Sequence, residues 1–365
     1  MSYQVFDNIG GPDDVLGKIR DFALACGWTI LENCTDDVDI SGTGTVDGKR
    51  LSIKSPSNST IANFRSANGK KIFPTQNNTA NAYGIGLVCS ADFVSVTSTG
   101  LWYDQLGASK HAATQQIIGV GIPVQPATNT RLYLNHVTNP AELIVISLEI
   151  SPGYFQHMAV GELQKIGSWS GGTIYSATRN SYYMFAAAGF NPTTMELDNN
   201  LLFSMSKYSS TFLKCSIDAA PLRNPEVLWA SAGQDTTDLA SHYTGKMLGL
   251  PVIRPVYVTD TWVPKIPHYS YLQSNAADDT GRNVNTLNCI TVNLPLNVYV
   301  MRDPDSLRNF SQCGYVPGVY FISTRNLSPG SCYEISYPQS GQLHQAFPHS
   351  HRGGLFGYDG FSIKQ

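Results

Sequence analysis

The chain has 365 residues, of which 42% are hydrophobic and only 14% are charged. Because charged residues make up about 25% of an ordinary globular protein, this deficit excludes a disordered chain or a charged tail. A net charge of -3 provides no general attraction for nucleic acid or an anionic membrane. The surface must therefore consist largely of neutral polar residues, which can be buried against another subunit at low desolvation cost.

The cysteines and the first residues of the chain bear on its compartment. Seven cysteines are spread along the sequence without a C-x-x-C pair, which argues against a zinc site or a disulfide scaffold. Residues 1–11 are polar and lack the apolar stretch of a signal peptide, so we expect free thiols in a reducing cytosol. The strongest apolar run, residues 141–150, is far shorter than the roughly 18 residues of a membrane-spanning helix.

One helix is predicted at residues 12–26. Pro12 suits a first helical turn, Asp13 and Asp14 favour its positive end, and Gly27 provides a stop. Apolar residues recur between them at spacings of three and four, at Val15, Ile19, Phe22, Ala23 and Cys26. This stripe predicts that the helix docks on a sheet, with Phe22 as one anchor and Trp28, directly after the stop, as another.

The rest of the chain favours short strands separated by Gly, Pro, Asn and Ser. Strands are predicted at residues 93–97, 117–124, 131–137, 142–150, 155–163, 211–217, 296–301 and 319–323. Asp47-Gly48 predicts a two-residue hairpin turn. The fold class is therefore mainly β, with a β-sandwich or barrel-like core, a short N-terminal helix and long loops.

A composition shift divides the chain near Leu250, after which prolines alternate with aromatic residues. We predict a domain at residues 1–250, holding the helix and the main β core. Residues 251–365 form the second unit, a Pro/Tyr-rich arm and a C-terminal β region.

Metal binding has weak support in the sequence. His344, His349 and His351 lie close together, and a His-x-His pair on a strand puts both rings on one face. A solvated or interfacial tail explains the same residues without a metal. Asp36, Asp37 and Asp39 provide oxygen ligands, but their spacing does not match a calcium loop, and a solvated turn is the simpler interpretation.

Catalysis and nucleotide binding also lack a motif. The segment 167–171 resembles a serine-hydrolase elbow, yet Trp169 occupies the nucleophile's position, and we expect this residue to be a packing anchor. No local spacing pairs Glu149, Glu162 or Glu196 as a glycosidase acid and base, although such pairs can assemble from distant strands. The glycines at 84–86 and 119–121 lack the rest of a phosphate loop, so no cofactor is predicted.

Two stretches resemble the virion structural proteins of tailed bacteriophages, particularly contractile-tailed ones. The first is residues 15–22 running into Gly27-Trp28-Thr29, and the second is residues 152–158 followed by 161–167 and 169–172. Together they cover less than a fifth of the chain. The resemblance implies a non-enzymatic component of the neck, collar or baseplate, assembled in the bacterial cytoplasm and located in the virion.

By analogy with tail rings, we expect copies of the chain to form a ring, a hexamer or a multiple of it, in contact with other tail or neck proteins. A receptor-binding or glycan-cleaving tail protein is the alternative. It predicts an exposed groove with two carboxylates about 5 to 10 Å apart.

Overall fold

The computed structural model describes residues 2–38, 46–69, 71–73, 83–94, 102–108, 119–180, 202–203, 211–216, 229–231, 251–255, 293–301, 310–324, 327–335, 341–348 and 359–365. These residues form the helix α1 (Pro12–Ala25) and, in chain order, the strands β1 (Ser2–Ile9), β2 (Thr29–Val38), β3 (Val46–Lys54), β4 (Ile61–Asn68), β5 (Tyr83–Ser90), β6 (Val120–Pro123), β7 (Asn129–Val137), β8 (Leu143–Ser151), β9 (Tyr154–Glu162), β10 (Gln164–Lys165), β11 (Ser170–Ala177), β12 (Arg179–Asn180), β13 (Thr211–Ser216), β14 (Trp229–Ser231), β15 (Pro251–Pro255), β16 (Leu294–Met301), β17 (Phe310–Ser323), β18 (Cys332–Ile335), β19 (Gln342–Pro348) and β20 (Asp359–Lys364).

The strands form three antiparallel sheets, which confirms the mainly β prediction. Sheet A has the order β1-β7-β8-β9-β11-β13-β14, and sheet B has the order β12-β6-β5-β4-β3-β2. Sheet C has the order β15-β16-β17-β20-β19-β18, with β10 added beside β17. None of the sheets closes into a barrel over the described ranges, so the core is sandwich-like. The boundary near Leu250 falls outside the described residues and stays a prediction.

Sheet A is the central layer, because both of its faces are buried. Along β8, Ile144 and Ile146 belong to an apolar cluster with α1 and sheet B, whereas Leu143 and Val145 belong to a second cluster with sheet C. Neighbouring side chains of a strand point to opposite faces. The apolar run at residues 141–150 is thus a strand covered on both sides, for which apolar residues are needed at nearly every position.

The helix α1 packs between sheets A and B, with Val15, Ile19 and Phe22 buried as the periodicity predicts. Its C-terminus is closed by two backbone bonds: Gly27 N–H donates to the Leu24 carbonyl (3.0 Å) and Trp28 N–H to the Ala23 carbonyl (2.9 Å). This is the Schellman arrangement, in which the residue after the C-cap has a positive φ. The φ of Gly27 is +83°, so the predicted stop is confirmed.

The outer face of sheet B is covered by residues 71–73 and 102–108. Phe73 and Trp102 lie on this face with their ring centroids 5.3 Å apart. Glycines of sheet B lie beneath these two rings. A Cβ on Gly119 would lie 2.3 Å from the Phe73 ring, and one on Gly86 would lie 3.1 Å from both Phe73 and Trp102. The two Gly-x-Gly segments therefore let aromatic side chains approach the sheet closely.

The structure corrects three details of the sequence prediction. Asp47 and Gly48 lie inside β3, where Gly48 pairs with Asp37 of β2, so they are not a hairpin turn. A Cβ on Gly48 would lie 2.0 Å from the Ser66 carbonyl oxygen, which explains the glycine by the close approach of β4. Phe93 and Val94 belong to no strand. The chain also opens with β1, a strand that the sequence did not predict.

Candidate functional site

A polar cluster lies where sheets A and B meet, at one end of the sandwich; we call it the seam cluster, and it consists of Trp28, Ser55, Ser57, His136, Glu142 and Glu162. Buried His136, at the end of β7, has its Nε2 2.5 Å from Glu142 Oε2. The indole Nε1 of Trp28 is 3.5 Å from the same nitrogen, at the limit of hydrogen bonding. This ring nitrogen therefore has two polar neighbours, the Glu142 carboxylate and the Trp28 indole, and its role as donor or acceptor follows from the tautomer.

Glu162 forms the second half of the seam cluster. Its Oε1 accepts hydrogen bonds from Ser55 Oγ (3.2 Å) and Ser57 Oγ, which lie in the turn between β3 and β4. Below it, Thr60 Oγ1 donates to the Gly161 carbonyl (3.2 Å), again across the seam. The carboxylate thus fastens a turn of sheet B to the end of β9 in sheet A.

The two seam carboxylates start from neighbouring strands. Leu143 pairs with Gly161, and Glu162 N–H donates to the Glu142 carbonyl at 2.7 Å. Glycosidases also use a pair of carboxyl groups, which flank the scissile bond. Here each carboxylate is bonded to protein groups, Glu142 to His136 and Glu162 to the two serines.

Glu149, another glutamate named from the sequence, does not join this cluster. Glu149 pairs with Phe155 at the opposite end of the β8–β9 hairpin, and its Oε1 accepts the Gly153 N–H at 2.8 Å. At roughly 3.3 Å per residue it lies roughly 20 Å from Glu142, too far for a glycosidase pair. Glu196 lies outside the described residues.

The thiol of Cys26, at the end of α1, interacts with the charge of Glu142. Burial and, to a lesser degree, the charge of Glu142 raise the pKa of Cys26 to about 11. The thiolate is the nucleophilic form of cysteine, and this environment keeps the thiol protonated at neutral pH. Cys26 is therefore not poised for nucleophilic catalysis.

Of the histidines proposed as weak metal ligands, His344 lies in β19 of sheet C, and His349 and His351 lie outside the described residues. His344 is buried, with its Nδ1 3.3 Å from Asn293 Nδ2 and 3.2 Å from Ser362 Oγ. Burial, and secondarily Lys364, lowers its pKa to about 4. Over the described ranges, no three His, Cys, Asp or Glu residues are placed to hold a metal ion.

The acidic residues proposed as a cation site are paired with basic side chains. Asp37 contacts Arg50 (3.1 Å) and buried Arg65 (3.0 Å), and Asp36 contacts Lys49 (2.8 Å). These pairs neutralise both carboxylates on the outer part of sheet B. Asp39 lies outside the described residues.

The three proposed anchors belong to two apolar clusters, one on each side of sheet A. Phe22 and Trp28 are each 1% exposed and belong to the apolar cluster between sheets A and B. Trp169 is half-buried and packs against the cluster between sheets A and C. Its Nε1 donates to the Cys313 carbonyl of β17 at 3.2 Å, and Lys165 Nζ lies 5.5 Å from its ring centroid.

The comparisons with known proteins provide no identification. No protein-family model matches the chain, and no curated protein matches it. In the part of the chain that the structure describes, no helix has the length and apolar character required to cross a membrane.

Proposed function

We propose that this chain is a non-enzymatic structural subunit of a tailed-bacteriophage particle, in the neck, collar or baseplate of the virion. It packs against copies of itself, with a hexamer or a multiple of it as the expected order, and against other tail or neck proteins. Nucleic acid and membranes are not among its expected partners. The subunit is made and assembled in the cytoplasm of the bacterial host.

The observation that carries this proposal is that the polar side chains of the seam cluster bond to other protein groups. In the seam cluster, Glu142 bonds to His136 and Glu162 bonds to serines of the facing sheet, so these groups hold layers together. The surface is poor in charge, which favours burial between subunits. The two stretches that carry the resemblance lie in α1 with the start of β2, and in β9, β10 and the start of β11, of which β9 and β11 belong to the central layer.

Particle composition tests the proposal. Particles of the phage whose genome encodes the chain would be purified by density gradient, and their proteins would be identified by peptide mass spectrometry. We expect the chain in stoichiometric amounts, with antibody labelling confined to the neck or the tail end. A chain that is abundant in infected cells but missing from the purified particles would contradict a structural role.

A second candidate function, glycan cleavage by a tail protein, is favoured by one observation. Glu142, just before β8, and Glu162, at the end of β9, lie side by side at the same end of two paired strands. Sugar release from host surface polysaccharide by the purified chain separates the two functions. Under the structural proposal no sugar is released. Release that disappears in Glu142→Gln and Glu162→Gln, but persists in Glu149→Gln, would establish the glycan-cleaving function instead.

A further inference from the structure

In the part of the chain that the structure describes, β1 is an edge strand of sheet A, with no partner on its outer side. β1 pairs with β7 on one side, from Ser2 opposite His136 to Ile9 opposite Asn129, and is the last strand of sheet A. An antiparallel edge strand presents alternate backbone N–H and C=O groups outward, where another strand can pair with them. Hydrogen-bond complementarity therefore makes an extended strand the natural occupant of this edge.

The side chains of β1 favour such pairing. Tyr3 is 52% exposed and Val5 is 40% exposed, and both point to the face of sheet A opposite that of Phe6, which packs on the core. Natural edge strands are commonly guarded by Lys, Pro or a charged face, and β1 contains neither Lys, Arg nor Pro. Its single charge, Asp7, is paired with Arg131 at 2.5 Å.

Helix α1 lies beside β1. Lys18 Nζ lies 5.1 Å from the Phe6 ring centroid, so the helix lies beside the strand. Leu24, near the same end of the helix as Cys26, is 59% exposed. Leu24 is thus an exposed apolar side chain on the element that lies next to β1.

We propose that β1 pairs with β1 of a second copy of this chain, in antiparallel orientation, so that two central sheets join into one. Antiparallel pairing of identical strands places a twofold axis normal to the sheet, which sets residues of the same face opposite one another. With Gln4 opposite Gln4 of the second copy, Tyr3 faces the second Val5 in each half. The two Asp7 carboxylates are then far apart, whereas a register centred on Asp7 would oppose them.

The β1–β1 contact rests on the proposed function, because it specifies how copies of the structural subunit associate. Dimerisation of the purified chain can be measured without phage particles. A twofold pair is closed on itself, so it builds a hexamer as three dimers, whereas a ring with sixfold cyclic symmetry would require a head-to-tail contact.

The test uses the purified full chain, studied by sedimentation velocity over a wide concentration range. Tyr3→Lys combined with Val5→Lys puts like charges opposite each other twice across the axis, and we expect dimerisation to weaken by about 30-fold. Leu106→Lys is the matched control, because Leu106 is also exposed (66%) but lies elsewhere, and it should leave dimerisation unchanged. At concentrations where the wild type is monomeric, both variants should keep its melting curve.

Cross-linking tests the register. Gln4→Cys should form an intermolecular disulfide on mild oxidation, identified by mass spectrometry as the peptide joined to itself, and Asp7→Cys should not. A wild-type chain that stays monomeric, or association that the double lysine variant does not weaken, would overturn the proposal. Absence of the chain from phage particles would contradict the proposed function and leave this pairing intact.

Discussion

Replacing Phe22 by Ala tests whether the apolar stripe of α1 is part of the core. Phe22 is 1% exposed and packs in the cluster that joins α1 to sheets A and B, whereas Leu24, two residues later, is 59% exposed. Truncating a buried Phe to Ala costs about 3 to 5 kcal/mol, because it loses transfer free energy and leaves a cavity. Leu24→Ala removes a side chain that is already mostly in water, so its effect should stay within about 0.5 kcal/mol.

Urea unfolding, followed by tryptophan fluorescence and circular dichroism, measures both variants against the wild type. We expect a lower midpoint for Phe22→Ala with an unchanged slope, which indicates a loss of stability without a change in the surface exposed on unfolding. A loss below about 1 kcal/mol in Phe22→Ala would refute the reasoning. It would show that the helix is a peripheral arm whose removal leaves the sandwich intact.

Three further predictions use the same unfolding assay. Gly119→Ala should cost about 1 to 3 kcal/mol, because its Cβ would lie 2.3 Å from the buried Phe73 ring. Burial, and secondarily Lys364, lowers the pKa of His344 from 6.5 to about 4. As the pH decreases, the unfolded chain binds this proton near pH 6.5 and the folded chain only near pH 4. The free energy of unfolding is therefore unaffected by His344 above pH 6.5 and falls by up to roughly 3 kcal/mol as the pH decreases towards 4. His344→Gln should flatten that part of the pH profile, and an unchanged profile would contradict the assignment. Glu162→Ala should cost about 0.5 to 1.5 kcal/mol, the net value of a typical hydrogen bond, because Ser57 is exposed to water and its hydroxyl still contacts that of Ser55 at 2.8 Å. A neutral result would show that the two serines replace the lost acceptor completely.

The elements that the sequence predicted well carry their signal locally. α1 combines a first-turn proline, a regular apolar period and a glycine stop, and all three act within 16 residues. β7, β8 and β9 are rich in apolar residues because the layers on either side bury both faces of sheet A. In both cases the local pattern and the tertiary packing favour the same structure.

The elements that were missed depend on distant partners. β1 is exposed over most of its length, so its residues lack the apolar alternation of a half-buried strand, and only pairing with β7 makes it a strand. Asp47-Gly48 carries a strong local turn signal, but the register with β2 and the approach of Ser66 place it inside β3.

The seam cluster could not be predicted for the same reason. Ser55 and Glu162 are 107 residues apart, and Trp28 and His136 are 108 residues apart. No local spacing connects such residues, since their contact is created by the packing of sheet A on sheet B. The sequence named Glu162 as a candidate acid but gave no sign of Glu142 or His136 beside it.

The position of sheet A in the middle of the fold limits how copies of the chain can share a core. Sheet B with α1 covers one face of sheet A and sheet C covers the other, so neither face is open to a second subunit. A sheet of this kind can grow only at an edge, and β1 is an edge whose backbone is unpaired on one side in the described part of the chain. Pairing there would continue the central sheet, which contains the apolar strands β7, β8 and β9. Residues 2–6 contain no charged side chain, so the pairing would desolvate none there. The low charge of the whole chain and the free edge of its central sheet thus favour the same outcome, a subunit that is stable by itself and extends its core into a neighbour.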